Sequence, residues 1–145
     1  MQELEDIVRM EIEDLHAFFV DWFSGSASEA AFEARFTDHM DPDMVLIPPG
    51  GNLMALEDLS AGLRKGYGTN PDFRIAIRNV KLQRILDHHF VVTYEEWQRN
   101  ALASTPPDNG RIATVLFTRS AQLKWLHIHE TWLPSAVMES GPYNF

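Results

Sequence analysis

The segment from Leu123 to Pro134 constrains the fold more than any other part of the chain, because it alternates like a β-strand and carries bulky apolar residues on both faces. Residues two apart in a strand share a face and lie about 7 Å apart. One face holds Leu123, Trp125, His127, His129 and Thr131, and the other holds Leu126, Ile128, Glu130 and Trp132. We expect both faces to be covered, with the two histidines side by side in a largely buried place.

Length and composition predict one globular domain. The chain has 145 residues, 45% of them hydrophobic, which is enough for a core and a modest cavity. A net charge of −9 repels phosphate backbones, so nucleic acid is not an expected partner. The acidic start and the lack of an apolar run of about 20 residues predict no signal peptide and no membrane span. The absence of cysteine fits a cytoplasmic location.

The order of helical and strand patterns predicts an α+β fold. Apolar residues recur at helical spacing in residues 4–23, and Ser26 and Asn52 are suited to cap two shorter helices. Alternating patterns predict strands at 44–47, 73–86, 90–99, 112–118 and 123–133. Three helices before an antiparallel meander predict a cone, with the helices packed on a curved sheet and a pocket between them. The domain would span residues 1–134, followed by an irregular tail, 135–145.

Three short segments carry a family resemblance: Gly51-Asn52-Leu53 before the third helix, Val92 to Trp97 on a middle strand, and Trp125 to His129 on the last strand. With the predicted elements, they resemble the nuclear transport factor 2-like superfamily over residues 4–133. That superfamily includes SnoaL-like polyketide cyclases, ketosteroid isomerase and the association domain of calmodulin-dependent kinases. The resemblance implies a cystatin-like cone, and its Trp-x-His-x-His strand is similar to the kinase domains and to uncharacterised relatives.

The resemblance also indicates which chemistry is disfavoured. Ketosteroid isomerase has an aspartate base near the position of Pro48 and a tyrosine near that of Phe18. Neither proline nor phenylalanine can transfer a proton, so steroid-isomerase chemistry is not expected. A site like that of scytalone dehydratase needs an acid on the first helix, where Asp14 and His16 lie at positions that the pattern does not orient.

Four residues form the predicted catalytic set: Tyr94, Glu96, His127 and His129. A two-residue hairpin at Ser120-Ala121 would put Thr114 opposite His127, and the kinase-domain resemblance turns that face and Tyr94 into the pocket. Histidine and a half-buried glutamate can exchange protons near neutral pH. The alternative is that these groups are hydrogen-bonded core residues or, for Glu96, a solvated rim residue.

On the opposite face of the last strand, Glu130 would pair outward with Arg111. The outer face would also expose Val115, Leu126, Ile128 and Trp132, an apolar patch that predicts a homodimer. His127 and His129 could bind a metal, but local spacing supplies no third ligand, so no metal and no cofactor are expected.

Two functions follow as hypotheses. The favoured one is a protein with a pocket for a small organic molecule, either a binder or a cofactor-free isomerase, cyclase or dehydratase that uses His, Glu and Tyr in acid–base chemistry. The alternative is a non-catalytic ligand-binding or assembly module of the same fold. A pocket larger than about 300 Å³ with polar groups at its base would favour the first.

Overall fold

The computed structural model describes residues 2–145. The helices are α1 (Gln2–Ser24), α2 (Glu29–Arg35), α3 (Leu56–Lys65) and α4 (Ser135–Ser140), with a 3-10 turn at Thr37–His39. The strands are β1 (Met40–Ile47), β2 (Met54–Ala55), β3 (Arg74–Leu86), β4 (His89–Arg99), β5 (Asn109–Arg119) and β6 (Leu123–Trp132). The predicted α+β class, with N-terminal helices on a mainly antiparallel sheet, is confirmed.

The six strands form one sheet in the order β2-β1-β6-β5-β4-β3. All neighbours are antiparallel except β1 and β6, which run parallel. The apolar stripe of α1 packs on the inner side of this sheet, because its three- and four-residue spacing puts Val8, Ile12, Leu15, Phe18 and Trp22 on one side of the helix. None of the helices in residues 2–145 is long and apolar enough to cross a membrane.

Two helix starts differ from the prediction. The hydroxyl of Ser28, not of Ser26, caps α2, where it accepts a hydrogen bond of 3.3 Å from the amide of Ala31. The third helix begins at Leu56 rather than after Asn52, because Met54 and Ala55 pair with β1 first.

The hairpin between β5 and β6 differs from the prediction in a way that affects the whole site. Arg119 pairs with Leu123, so three residues rather than two form the turn. Phe117 then pairs with Trp125, but Leu116 pairs with His127, which leaves Leu126 as an extra residue in a β-bulge. One inserted residue reverses the alternation beyond it, so the strand changes faces between Trp125 and His127.

The bulge also changes which residues lie on the outer face of the sheet. Ile128 and Val115 lie in the core, and Trp132 lies beside Arg111, with the guanidinium carbon 4.9 Å from the ring centre. The predicted apolar patch is therefore wrong in these three members. The face away from the helices carries His127 and His129 instead.

The C-terminal segment packs against the sheet. After α4, Tyr143 lies on Trp97 with the ring centres 5.7 Å apart. Arg78 on β3 donates a hydrogen bond of 3.1 Å to the carbonyl of Pro142. These contacts bury Trp97 on the side of β4 that faces away from the helices.

Candidate functional site

A cavity of about 440 Å³ lies between the helices and the inner side of the sheet. Its walls are mainly apolar and include Leu15, Phe19, Phe23, Leu46, Leu59 and Phe73. Its polar lining includes His16, Tyr94, Glu96, Gln98, Arg111 and Glu130. An apolar cavity of this volume with a few convergent polar groups is typical of a small-molecule site.

Tyr94 and Glu96 lie in the wall of this cavity, on alternate positions of β4. The strand alternation predicted that they share a face, the resemblance to the kinase association domain implied that this face points into the pocket, and both side chains are buried. Their catalytic role stays a prediction.

His127 and His129 do not reach the cavity. They line a depression on the opposite face of the sheet, with Ile112, Thr114, Leu116 and Thr131. The predicted inward orientation of both histidines is wrong, because the extra residue Leu126 reverses the alternation after Trp125. Thr114 still shares their face, but it pairs with His129 rather than with His127.

The histidine of the cavity is His16 on α1. It follows Val8 and Ile12 at four-residue intervals, so it belongs to the buried stripe of the helix. Its Nδ1 lies 2.7 Å from the carbonyl oxygen of Ile12, and its Nε2 lies 3.1 Å from Oε1 of Glu96. The four-residue spacing was the sequence signal that could have oriented it.

These contacts define the charge state of His16 and Glu96. A carbonyl oxygen can only accept, so Nδ1 of His16 carries a hydrogen. Glu96 also accepts a hydrogen bond of 2.6 Å at Oε2 from Gln98. Burial raises the pKa of Glu96, but the charge and hydrogen bond of His16, with Arg111 and Gln98, lower it to about 2. Burial lowers the pKa of His16, yet Glu96 and the Ile12 carbonyl raise it above its ordinary value. Since Nδ1 already donates to Ile12 and a carboxylate can only accept, the contact between Nε2 and Glu96 joins an imidazolium to a carboxylate.

Arg111 and Glu130 form a second buried pair in the cavity wall. Nη1 of Arg111 donates to Oε1 of Glu130 over 3.2 Å, and Nη2 donates to Oδ1 of Asn109 over 3.4 Å. The sequence predicted the Arg111–Glu130 pair but placed it on the outer face, which is wrong for the same reason as the histidines. The partners are also not directly opposite, since Arg111 pairs with Trp132 and Glu130 with Ala113.

The pKa of the Glu130 carboxyl group is raised toward neutrality. Burial raises the pKa of Glu130, and the charge of Glu96 raises it further, while Arg111 opposes both effects. The result is a pKa of about 7, so Glu130 can both take up and release a proton at neutral pH. Its Oε2 has no hydrogen-bond partner among the described residues, 2–145.

The hydroxyl of Tyr94 forms no hydrogen bond with the described residues, and its ring packs against His16 and Trp125 in the cavity wall. Burial raises the pKa of Tyr94 well above its ordinary value, and the charges of Glu96 and Glu130 add to this. Tyr94 is therefore a neutral hydrogen-bond donor that lines the cavity.

The described residues hold no group of three or more His, Cys, Asp or Glu side chains placed to bind a metal ion.

The residues of the cavity wall can supply a titrating carboxyl group, a phenol and two cations to a bound molecule.

No protein-family model and no curated protein matches the chain. Among solved structures, it is similar to a nuclear transport factor 2-like protein of unknown function from Pseudomonas aeruginosa, with a TM-score of 0.77, 26% identity, and coverage of 88% of this chain and 98% of that one. An uncharacterised protein with a cystatin-like fold from Caulobacter vibrioides has a TM-score of 0.62 and 15% identity, with 94% of each chain covered. A calmodulin-dependent kinase II hub from S. rosetta has a TM-score of 0.60 and 14% identity, with 72% of this chain and 84% of that one covered.

Proposed function

We propose that this chain, which has the fold of the nuclear transport factor 2-like proteins as its sequence predicted, binds a small, mainly apolar organic molecule and carries out cofactor-free acid–base chemistry on it. The reaction class is an isomerisation, a cyclisation or a dehydration. One observation supports this most: Tyr94 and Glu130 each present an unpaired oxygen in an apolar cavity of about 440 Å³.

In this proposal Glu130 is the proton carrier. Its pKa of about 7 balances the ionised and protonated forms at neutral pH, which is the condition for efficient general acid–base catalysis. For an isomerisation, the Glu130 carboxylate takes a proton from a carbon next to a carbonyl group, and the C–H electron pair moves toward the carbonyl oxygen. Tyr94 donates a hydrogen bond to that oxygen as it becomes negative. Glu130 then returns the proton to another carbon.

Glu96 has a different role from the one its sequence position predicted. It is held ionised by His16 and Gln98, so it is a poor proton acceptor at neutral pH. Its fixed negative charge instead helps to raise the pKa of Glu130. We propose that His16 and Glu96 position and tune the site. His127 and His129 lie across the sheet and have no role in this proposal.

A non-catalytic binding or assembly module is the second candidate. The observation in its favour is the depression on the outer face, where Ile112, Leu116, His127 and His129 lie side by side. One of the similar solved structures is a kinase hub. We propose that a second copy of this chain covers this face in a homodimer, which is compatible with either candidate.

The experiment combines ligand identification with a hydrogen-exchange assay. The protein without substitutions is purified and then denatured to release its ligand. Mass spectrometry of the released material should find a small organic molecule. Leu59→Trp, which fills the cavity, should lose it, whereas Leu86→Trp on an exposed site of β3 should retain it. Incubation with that molecule in heavy water should place deuterium on carbon, and Glu130→Gln should abolish this.

The outcomes separate the candidates. Retention of the molecule without deuterium incorporation or any other turnover would contradict the enzyme and favour the binding module. Equal recovery from both tryptophan variants would contradict a ligand in this cavity.

A further inference from the structure

The cavity has more hydrogen-bond donors than its own residues use. A guanidinium has five N–H groups, and Arg111 uses one on Glu130 and one on Asn109. Both contacts are longer than the roughly 2.7–2.9 Å of good charge-assisted hydrogen bonds. The Nε of Arg111 is buried without a partner in residues 2–145. Together with the hydroxyl of Tyr94, which donates to none of the described residues, this leaves donors of two cavity residues without a partner, and Oε2 of Glu130 does not accept from either of them.

We infer that the cavity takes an apolar carboxylic acid, bound as its carboxylate beside Tyr94 and Arg111 together with one proton that goes onto Glu130. This inference rests on the proposed function, whose ligand class it names. Because Glu130 is protonated when such a ligand is bound, it enters the reaction as the acid of a dehydration or a cyclisation and not as the base of an isomerisation. A carboxylate has two oxygens that accept several hydrogen bonds, so it can use donors of both residues. A neutral carbonyl group has one oxygen and would leave more of these donors unpaired.

The proton follows from the charges around the ligand. His16 and Glu96 cancel each other, as do Arg111 and an ionised Glu130. A ligand carboxylate would add an uncompensated negative charge in a buried place, which is costly. Protonation of Glu130 removes that charge, releases Arg111 for the ligand and adds an O–H donor.

The groups that face Glu130 come from three elements. Arg111 lies on β5, Glu96 and Tyr94 lie on β4, and His16 lies on α1. The β1 side contributes Leu46 and Pro48 to the cavity, which carry no charge. The pKa of Glu130, about 7, means that the proton is available at a pH just below neutrality.

The remaining lining indicates the body of the ligand. Apart from the polar groups, the cavity is bounded by apolar side chains, both aliphatic and aromatic, and Leu102 extends this lining to the surface, where it is 75% exposed. An aromatic or aliphatic body would contact these walls while its carboxylate reaches Tyr94 and Arg111.

Matched probes test the inference. Phenylacetate and naphthylacetate would be compared by calorimetry with phenylacetamide and naphthylacetamide, which have the same shape and no charge. At about pH 6, a carboxylate should bind at least about tenfold more tightly than its amide. Its affinity should fall about tenfold for each pH unit above the pKa of Glu130, because one proton is taken up per ligand. Calorimetry in two buffers of different ionisation enthalpy should count close to one proton at about pH 8.

Variants assign the effect to residues. Glu130→Gln keeps the shape but cannot titrate, so carboxylate binding should lose both its proton uptake and its decline with pH. Arg111→Gln should remove the preference for carboxylate while leaving the amides unchanged. Glu33→Gln, at an exposed site on α2, is the matched control and should behave like the native protein. The proton count on the native protein needs no variant, so the test holds even if a variant misfolds.

Two results would overturn the inference and leave the proposed function in place: equal binding of acids and amides, or binding of the acids without proton uptake. If no probe bound and Leu59→Trp retained the co-purified molecule, both the inference and the proposed function would be contradicted.

Discussion

The imidazole Nε2 of His16 lies 3.1 Å from Oε1 of Glu96, although 80 positions separate the two residues in the chain. The helix side of this contact belongs to the apolar stripe of α1, and the strand side belongs to the inner face of β4. Docking of α1 on the sheet therefore creates a buried ion pair and, through the charge of Glu96, raises the pKa of Glu130. Through this contact, the position of α1 on the sheet affects the ionisation of Glu130 in the cavity.

Replacing His16 with glutamine should destabilise the protein by about 3 kcal/mol, because it leaves the Glu96 charge buried without its cation. The pKa of His16 is raised in the folded state, so its stabilising effect is complete below pH 6.5 and is lost as the pH rises through the folded pKa. Urea denaturation should therefore show that His16→Gln lowers the free energy of unfolding more at about pH 6 than at high pH. His88→Gln, at an exposed turn, is the control and should change the free energy of unfolding by less than about 0.5 kcal/mol. An equal effect of both variants would contradict the buried ion pair.

Replacing Glu130 with glutamine should change how stability depends on pH. The pKa of Glu130 is about 7 when folded and 4.5 ordinarily, so the folded state binds more protons between these values and the native protein loses stability as pH rises through them. Ionisation of Glu130 lowers the free energy of unfolding by about 3 kcal/mol over this range, at 1.36 kcal/mol per pKa unit. The free energy of unfolding of the variant, measured by urea denaturation, should therefore rise relative to that of the native protein from about pH 4.5 to pH 7. Glu33→Gln is the control. A constant difference between Glu130→Gln and the native protein would show that Glu130 ionises normally.

Replacing Tyr94 with phenylalanine should lower turnover and leave the free energy of unfolding nearly unchanged. The hydroxyl lies at the cavity and forms no hydrogen bond with residues 2–145, so its removal should change the free energy of unfolding by less than about 1 kcal/mol. Turnover of the co-purified molecule should fall about a hundredfold or more if the hydroxyl stabilises a developing negative charge. Unfolding and rate measurements on the same preparation test this, and an unchanged rate would remove Tyr94 from the proposed mechanism.

Replacing Ile112 with glutamate should split the proposed homodimer. Ile112 is 42% exposed on the outer face of β5, and a charge at the centre of an interface would remain unpaired. The matched control is Ile7→Glu, at a site on α1 that is 41% exposed. Sedimentation at micromolar concentration should give dimers for the native protein and the control, and monomers for Ile112→Glu. A native monomer would contradict the dimer itself.

Replacing His127 with glutamine should leave the cavity unaffected. His127 is half-buried on the face of the sheet opposite the cavity, so the affinity for a cavity ligand should change by less than about twofold and stability by less than about 1 kcal/mol. His16→Gln in the same assay tests the histidine that does line the cavity. Loss of cavity binding in the His127 variant alone would favour the orientation predicted from the sequence.

The sequence by itself determined the elements of the fold and part of the cavity. The helical spacing of α1 and the alternation of the long strands are local patterns, so they predicted an α+β cone. The resemblance to nuclear transport factor 2-like proteins rested on three short segments in addition to these elements. The alternation within β4 put Tyr94 and Glu96 on one face, because that strand runs through the site without an inserted residue. The family resemblance implied that this face is the inner one. The Arg111–Glu130 pair was also predictable, since both residues lie on one hairpin.

Tertiary structure decided which face of β6 meets the cavity and which helix residue joins it. The extra residue Leu126 has no mark in the period-2 pattern, because both phases of that strand carry apolar side chains and either could be buried. The bulge therefore moved His127 and His129 to the outer face and brought Glu130 to the inner one. The partnership of His16 and Glu96 depends on how α1 docks on the sheet, a long-range arrangement that local spacing does not contain.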